Sequence, residues 1–115
     1  MPSLNKVFLI GNLTKDVELR YIPSGEACAT LSLAVNEKYG EKDSVLFMDC
    51  VAWKKTAENC AEYLKKGSPV FVEGKLKTRS WDKDGVKHYK TEVVVFNVQF
   101  LGSPKQPEGD AERNG

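Results

Sequence analysis

Along most of the chain, apolar and polar residues alternate with the two-residue period of a half-buried β-strand. The first stretch is Lys6–Leu13, an apolar run ended by Gly11-Asn12; it continues, after a break, through Val17–Ile22. Pro23-Ser24-Gly25 reads as a turn. Glu26–Asn36 alternates cleanly, with Ala27, Ala29, Leu31, Leu33 and Val35 on one face and Cys28, Thr30, Ser32, Ala34 and Asn36 on the other. Lys38–Ser44 reads as a polar loop carrying Tyr39, and Val45–Trp53 as a third strand. The period then changes. In Lys55–Lys65, Ala57, Cys60, Ala61 and Leu64 fall at i, i+3, i+4 and i+7, which predicts a helix with one narrow apolar stripe. Lys65 and Lys66 suit its C-terminal end, and Gly67 suits the residue just beyond the cap.

Pro69–Trp81 returns to strand, Asp82-Lys83-Asp84-Gly85 is a hairpin turn, and Val86–Leu101 is the returning strand. The order β-β-β-α-β-β predicts a mainly β domain: a five-stranded Greek-key barrel with its helix between strands three and four. Beyond Leu101 the Pro, Gly and charged residues have little to bury. The expected division is one domain over 1–102 and a disordered tail over 103–115.

The fourth strand carries the clearest chemical signal. Lys75, Lys77, Arg79 and Trp81 share one face, while Val70, Val72 and Leu76 point to the other, which reads as core. A row of cations can track a phosphodiester backbone and release its condensed counterions. An aromatic ring beside that row can stack on an unpaired base of any identity, worth roughly 1–3 kcal/mol per base. In the third strand Leu46, Met48, Cys50 and Ala52 read as core. Val45, Phe47, Asp49, Val51 and Trp53 then face outward, with Lys54 and Lys55 next to Trp53. Asp49 is a contrary sign, since a carboxylate repels phosphate.

Charge supports this reading only through its distribution. The 115 residues carry 17 Lys and Arg against 16 Asp and Glu, a net +1. Yet from Lys54 to Lys90 there are ten Lys or Arg (54, 55, 65, 66, 75, 77, 79, 83, 87, 90) against five acids (58, 62, 73, 82, 84). No apolar run approaches the roughly 20 residues of a membrane helix, and the N-terminus lacks a signal-peptide layout, so the expected location is the cytoplasm. Cys28, Cys50 and Cys60 form no CxxC pair and read as small buried thiols; His88, the only histidine, reads as a surface residue of the hairpin. No metal or cofactor is implied.

The sequence resembles the bacterial-type single-stranded DNA-binding proteins over Leu4–Leu101. The resemblance is carried by Asn5-Lys-Val-Phe-Leu-Ile-Gly-Asn-Leu13, Arg20-Tyr-Ile-Pro-Ser-Gly25, Asp49-Cys-Val-Ala-Trp53, Ala57-Glu-Asn, Tyr63-Leu-Lys-Lys-Gly-Ser68, Val72-Glu-Gly-Lys-Leu-Lys-Thr-Arg-Ser-Trp81 and Thr91-Glu-Val-Val-Val95. It implies an oligonucleotide-binding (OB-fold) barrel, sequence-independent binding of single strands during replication, recombination and repair, and a homotetramer built as a pair of dimers. It implies base stacking at Tyr39, Phe47, Trp53 and Trp81, and phosphate contacts near Arg20, Lys55, Lys66, Lys77 and Arg79. Tryptophan is common in the family at the first two stacking positions, so Tyr39 and Phe47 would stack less well. The family usually ends in an acidic tip closed by Pro-Phe that recruits replication and repair proteins. This sequence ends Asp110-Ala-Glu-Arg-Asn-Gly115, which leaves those partners open.

Other readings compete. A primosome-type relative would be a dimer with fewer aromatics. A barrel of this kind can also bind an oligosaccharide or a protein; binding to an uncharged glycan would scarcely respond to salt. A thiol-dependent enzyme is the remaining candidate, and alkylation of the cysteines without effect on DNA binding would dispose of it.

Overall fold

The computed structural model describes residues 2–102. Its elements are β1 (Val7–Leu13), β2 (Glu18–Tyr21), β3 (Ala27–Tyr39), β4 (Lys42–Trp53), α1 (Lys54–Tyr63), β5 (Pro69–Lys83) and β6 (Val86–Phe100). The strands hydrogen-bond in the order β1-β5-β6-β4-β3-β2, and a further β1–β3 pairing closes β1, β5, β6, β4 and β3 into a barrel. The helix enters between β4 and β5, so the five-stranded barrel with one helix is what forms. The stretch after the break at Asn12 is a separate short strand, β2, laid along β3 from Glu18↔Thr30 to Tyr21↔Ala27. The tail expected over 103–115 lies outside the described residues.

The inward parity of the strands makes the core. Leu31, Leu33, Cys50, Val70, Val72 and Val93 are fully buried; α1 adds Ala57 and Cys60, and the residue after it, Leu64, is buried beside them. Two glycines allow the closure. A Cβ on Gly11 would sit 2.5 Å from the Ala34 carbonyl oxygen where β1 crosses β3. A Cβ on Gly74 would run into the Val94 carbonyl, next to an irregularity where Glu73 pairs with Asn97 but Gly74 pairs with Val95. Phe96 is the extra residue of that bulge and is exposed.

Four local expectations change. Lys38–Ser44 is not a loop: β3 and β4 stay paired out to Tyr39↔Lys42, with only Gly40 and Glu41 between them. Polar residues persist there because this part of the hairpin projects beyond the core. Leu76, expected in the core, is 41% exposed for the same reason: buried positions on β5 end at Gly74. Val51 has outward parity yet is buried. Gly67 does not cap α1. The cap is Leu64, in extended conformation, and Gly67 (φ +91°) belongs to the following turn, where the Ser68 amide donates to the Lys65 carbonyl.

Candidate nucleic-acid interface

Residues opposite one another in a sheet point to the same side. The pairings Arg20↔Cys28, Thr30↔Val51 and Ala34↔Phe47 therefore carry one outer surface from β2 across β3 to β4. The parallel pairing Val51↔Val94 carries it on to β6, and Lys77↔Glu92, Arg79↔Lys90 and Trp81↔His88 carry it to β5. Five strands thus share one continuous outer face. At about 4.8 Å per strand it is roughly 19 Å across.

Most of the expected site residues lie on this face. Phe47 is 69% exposed, Trp53 38% and Trp81 39%; Tyr39, 65% exposed at the β3–β4 tip, has the opposite parity, shared with Leu31, Leu33 and Val35, so the sheet does not bring it onto this face. Lys75, Lys77 and Arg79 are exposed along β5, and Arg20 is exposed on β2, where its Nη1 donates to Thr30 Oγ1 at 3.3 Å. Lys75 and Lys77 make no ion pair among the described residues. Trp53 and Trp81 share the face but not the neighbourhood. Trp81 is level with His88 and Trp53 with the region of Phe96, about eight residues or roughly 26 Å along the strands.

Lys55 and Lys66 lie off the sheet face. Lys55 is in the first turn of α1, and Lys66 is in the turn after the helix, where its amide donates to Asp16 Oδ1 at 2.8 Å. Between β4 and α1 the chain turns sharply through Lys54. Its φ of +57° is left-handed, a region a lysine enters at a cost of about 1 kcal/mol. That corner leaves the Trp53 ring at the end of the sheet.

The hairpin tip is ordered by its own side chains. Asp84 (φ +53°) and Gly85 (φ +77°) are both left-handed, as a two-residue type I′ turn requires. The turn sets Trp81 opposite His88, and their rings stack at 5.6 Å with planes 17° apart. The Arg79 guanidinium lies over the indole at 4.9 Å from its centre.

Sequence reasoning missed the ionic pattern at the centre of the face. Arg79 and Lys90 are directly opposed cations, an unfavourable arrangement by itself. Each turns to a carboxylate: Arg79 Nε donates to Glu92 Oε1 at 3.1 Å, and Lys90 Nζ lies 2.6 Å from Asp49 Oδ2 and 3.9 Å from Glu92 Oε2. Partial burial pushes the Asp49 carboxyl up, but hydrogen bonds from Lys90 and Ser32 and the nearby positive charge outweigh it, so its pKa lies below the ordinary value. Asp49 is therefore neutralised by a partner, not bare. The parity of His88, Lys90 and Glu92, counted onward from Asp84-Gly85, was the available signal.

A family model described as the single-strand binding protein family matches residues 4–101. The chain belongs to this family. Single-stranded DNA-binding protein 2 of Listeria innocua is 47% identical over 116 residues, spanning 96% of this chain and 72% of that protein. The single-stranded DNA-binding protein of Bacillus cereus is 48% identical over 112 residues, 93% of this chain and 65% of the relative. Single-stranded DNA-binding protein A of Bacillus subtilis is 48% identical over 111 residues, 92% and 63% respectively. The chain thus spans about two thirds of the length of these relatives. Single-strand binding proteins bind and do not catalyse, in keeping with the expectation that the chain is not an enzyme. Among the described residues no helix is long and apolar enough to cross a membrane.

Proposed function

We propose that the chain binds single-stranded DNA without regard to base sequence. Bases stack on Phe47, Trp53 and Trp81 and, at the β3–β4 tip, on Tyr39; phosphates meet Arg20, Lys75, Lys77 and Arg79, with Lys55 and Lys66 extending the path past α1. One observation carries this reading: exposed aromatics and cations lie together on a single sheet face that runs from β2 to β5. π faces accept any base, and cations accept any phosphate, so the chemistry is indifferent to sequence. It also favours single strands, because duplex bases are already stacked on one another.

Titration with oligothymidylate tests it. Tryptophan emission should fall strongly as the strand binds, and affinity should drop steeply with added salt. Emission unchanged at saturating oligonucleotide would refute stacking. Salt-insensitive binding would refute the phosphate contacts.

In the cell this activity coats transient single strands in the cytoplasm during replication, recombination and repair. The binding unit is residues 1–102, and residues 103–115 are dispensable for DNA affinity. The working particle is a homotetramer. Supporting this, Phe8 and Ile10 are each 60% exposed on β1, and the Val7–Gly11 edge away from β5 has no partner strand among the described residues. A monomer mass by light scattering at micromolar concentration would refute the assembly.

A further inference from the structure

The ion pairs on the sheet face have a role that the binding reading alone does not assign. Arg79 and Lys90 sit directly opposite each other, and both are already occupied. Glu92 accepts from Arg79 at 3.1 Å and lies 3.9 Å from Lys90, and its side chain is only 13% exposed. Asp49 holds Lys90 at 2.6 Å with its own side chain 29% exposed. These two carboxylates stand in the middle of the surface a phosphate chain would cross, with Lys77, Arg79 and Trp81 to one side and Phe47 and Trp53 to the other.

Structure alone gives the pairs one purpose, which is to relieve the repulsion between opposed cations. The same geometry also puts them in competition with DNA. A phosphate can take Arg79 or Lys90 only if the carboxylate gives it up, or if the pair is approached as a neutral unit. Either way, those cations bring fewer condensed ions off the DNA than their number suggests. We infer that Asp49 and Glu92 are resident counter-ions of the binding face: they hold Arg79 and Lys90 in the free protein and weaken and desensitise strand binding by doing so. They are positioning residues, since neither is asked to touch DNA. The inference rests on the proposed binding of single-stranded DNA.

Accessibility favours competition over pre-ordering. The Arg79 and Lys90 side chains remain 53% and 41% exposed, so phosphate can reach them from the solvent side and compete with the carboxylates, at a measurable cost in affinity. A Glu92→Gln side chain keeps the shape and can still accept from Arg79 Nε. It removes only the charge.

The test compares wild type, Glu92→Gln, Asp49→Asn and the double variant in binding oligothymidylate from low to moderate salt. Glu62→Gln, exposed on α1 and off the sheet face, controls for net charge. Each substitution on the face should tighten low-salt binding about twofold to fivefold, fivefold being about 1 kcal/mol. Each should also steepen the plot of log affinity against log salt by up to about 0.7 per freed cation. The control should do neither. A merely structural role would loosen binding without steepening the slope, so weaker binding in both face variants overturns the inference, as does an unchanged slope in both. If wild type binds and the variants match it, only this inference falls. If wild type ignores the oligonucleotide, the functional reading falls and takes the inference with it.

Discussion

Trp81 and His88 stack across the β5–β6 hairpin, ring centres 5.6 Å apart and planes 17° from parallel. The contact joins the side chain proposed to meet a base to the only histidine of the chain. It fixes the indole before any ligand arrives, so less side-chain freedom is lost on binding. Replacing His88 with Ala should leave the fold intact, alter the free-protein tryptophan emission, and weaken oligothymidylate binding by less than removal of Trp81 itself. Equal losses in the two variants would mean that the stacked pair, not the indole, is the binding element.

Trp53 and Trp81 share a face but stand roughly 26 Å apart along the strands. Each Ala substitution should cost about 1–3 kcal/mol of binding free energy. The two losses should add within about 0.5 kcal/mol, because the sites share no partners. This holds for an oligonucleotide long enough to reach both. A double-variant titration that falls well short of the sum would place both rings on one base or in one coupled unit.

Lys77 is exposed, central on β5, and free of ion pairs among the described residues. Lys77→Ala should lower the salt slope by up to about 0.7. Arg79→Ala should lower it less, since Arg79 begins partly neutralised by Glu92. The salt dependence of the two variants, measured side by side, decides the ranking.

Gly11 and Gly74 should not tolerate even a methyl group. At both, a Cβ meets a backbone carbonyl, Ala34 and Val94 respectively, and a strand cannot yield as a side-chain tip can. Overpacking of this kind costs about 1–3 kcal/mol and occasionally more. Gly11→Ala and Gly74→Ala should therefore lower the urea midpoint clearly. An unshifted midpoint would mean that the barrel closes less tightly than described.

Burial raises the thiol of Cys50 to about 12, assisted by the nearby Asp49 and Glu92 charges, and burial alone raises Cys60 to about 11. The folded state thus keeps protons that the unfolded chain releases near the ordinary value of 9.0. The stability this gives is complete below pH 9 and is lost as pH climbs toward the folded values. The slope is about 1.4 kcal/mol per pH unit for each thiol. At pH 8 the native protein should resist alkylation and react readily once unfolded. Rapid labelling of the native protein would contradict the packing of these cysteines.

Much of the face was legible because strand parity is a local property. The alternation through Lys75, Lys77, Arg79 and Trp81, and the Asp84-Gly85 turn that pairs Trp81 with His88, can be counted directly from the sequence. What could not be counted is adjacency between strands far apart in the chain. β4 meets β6 only through Cys50↔Val93 and Val51↔Val94, and that parallel seam is what brings Lys90 to Asp49. The hairpin at Tyr39↔Lys42 was illegible for another reason. Strands with no core beneath them lose the apolar half of their alternation, so they look like loops.

The β5–β6 hairpin keeps its ladder from Lys77↔Glu92 out to Lys83↔Val86, past the last buried positions of the two strands, Gly74 on β5 and Val93 on β6. A two-stranded ribbon with solvent on both sides twists and coils more readily than a sheet anchored to a core. The barrel supplies a rigid bench and the ribbon a compliant arm. An unpaired polymer has no fixed path in space, and an arm that can flex along its length is able to follow whichever path the strand takes. Tolerance of any base sequence then has a mechanical source as well as a chemical one. Stiffening the arm, for instance by a cross-strand disulfide near its tip, would narrow the range of strand shapes it can hold without touching a single base contact.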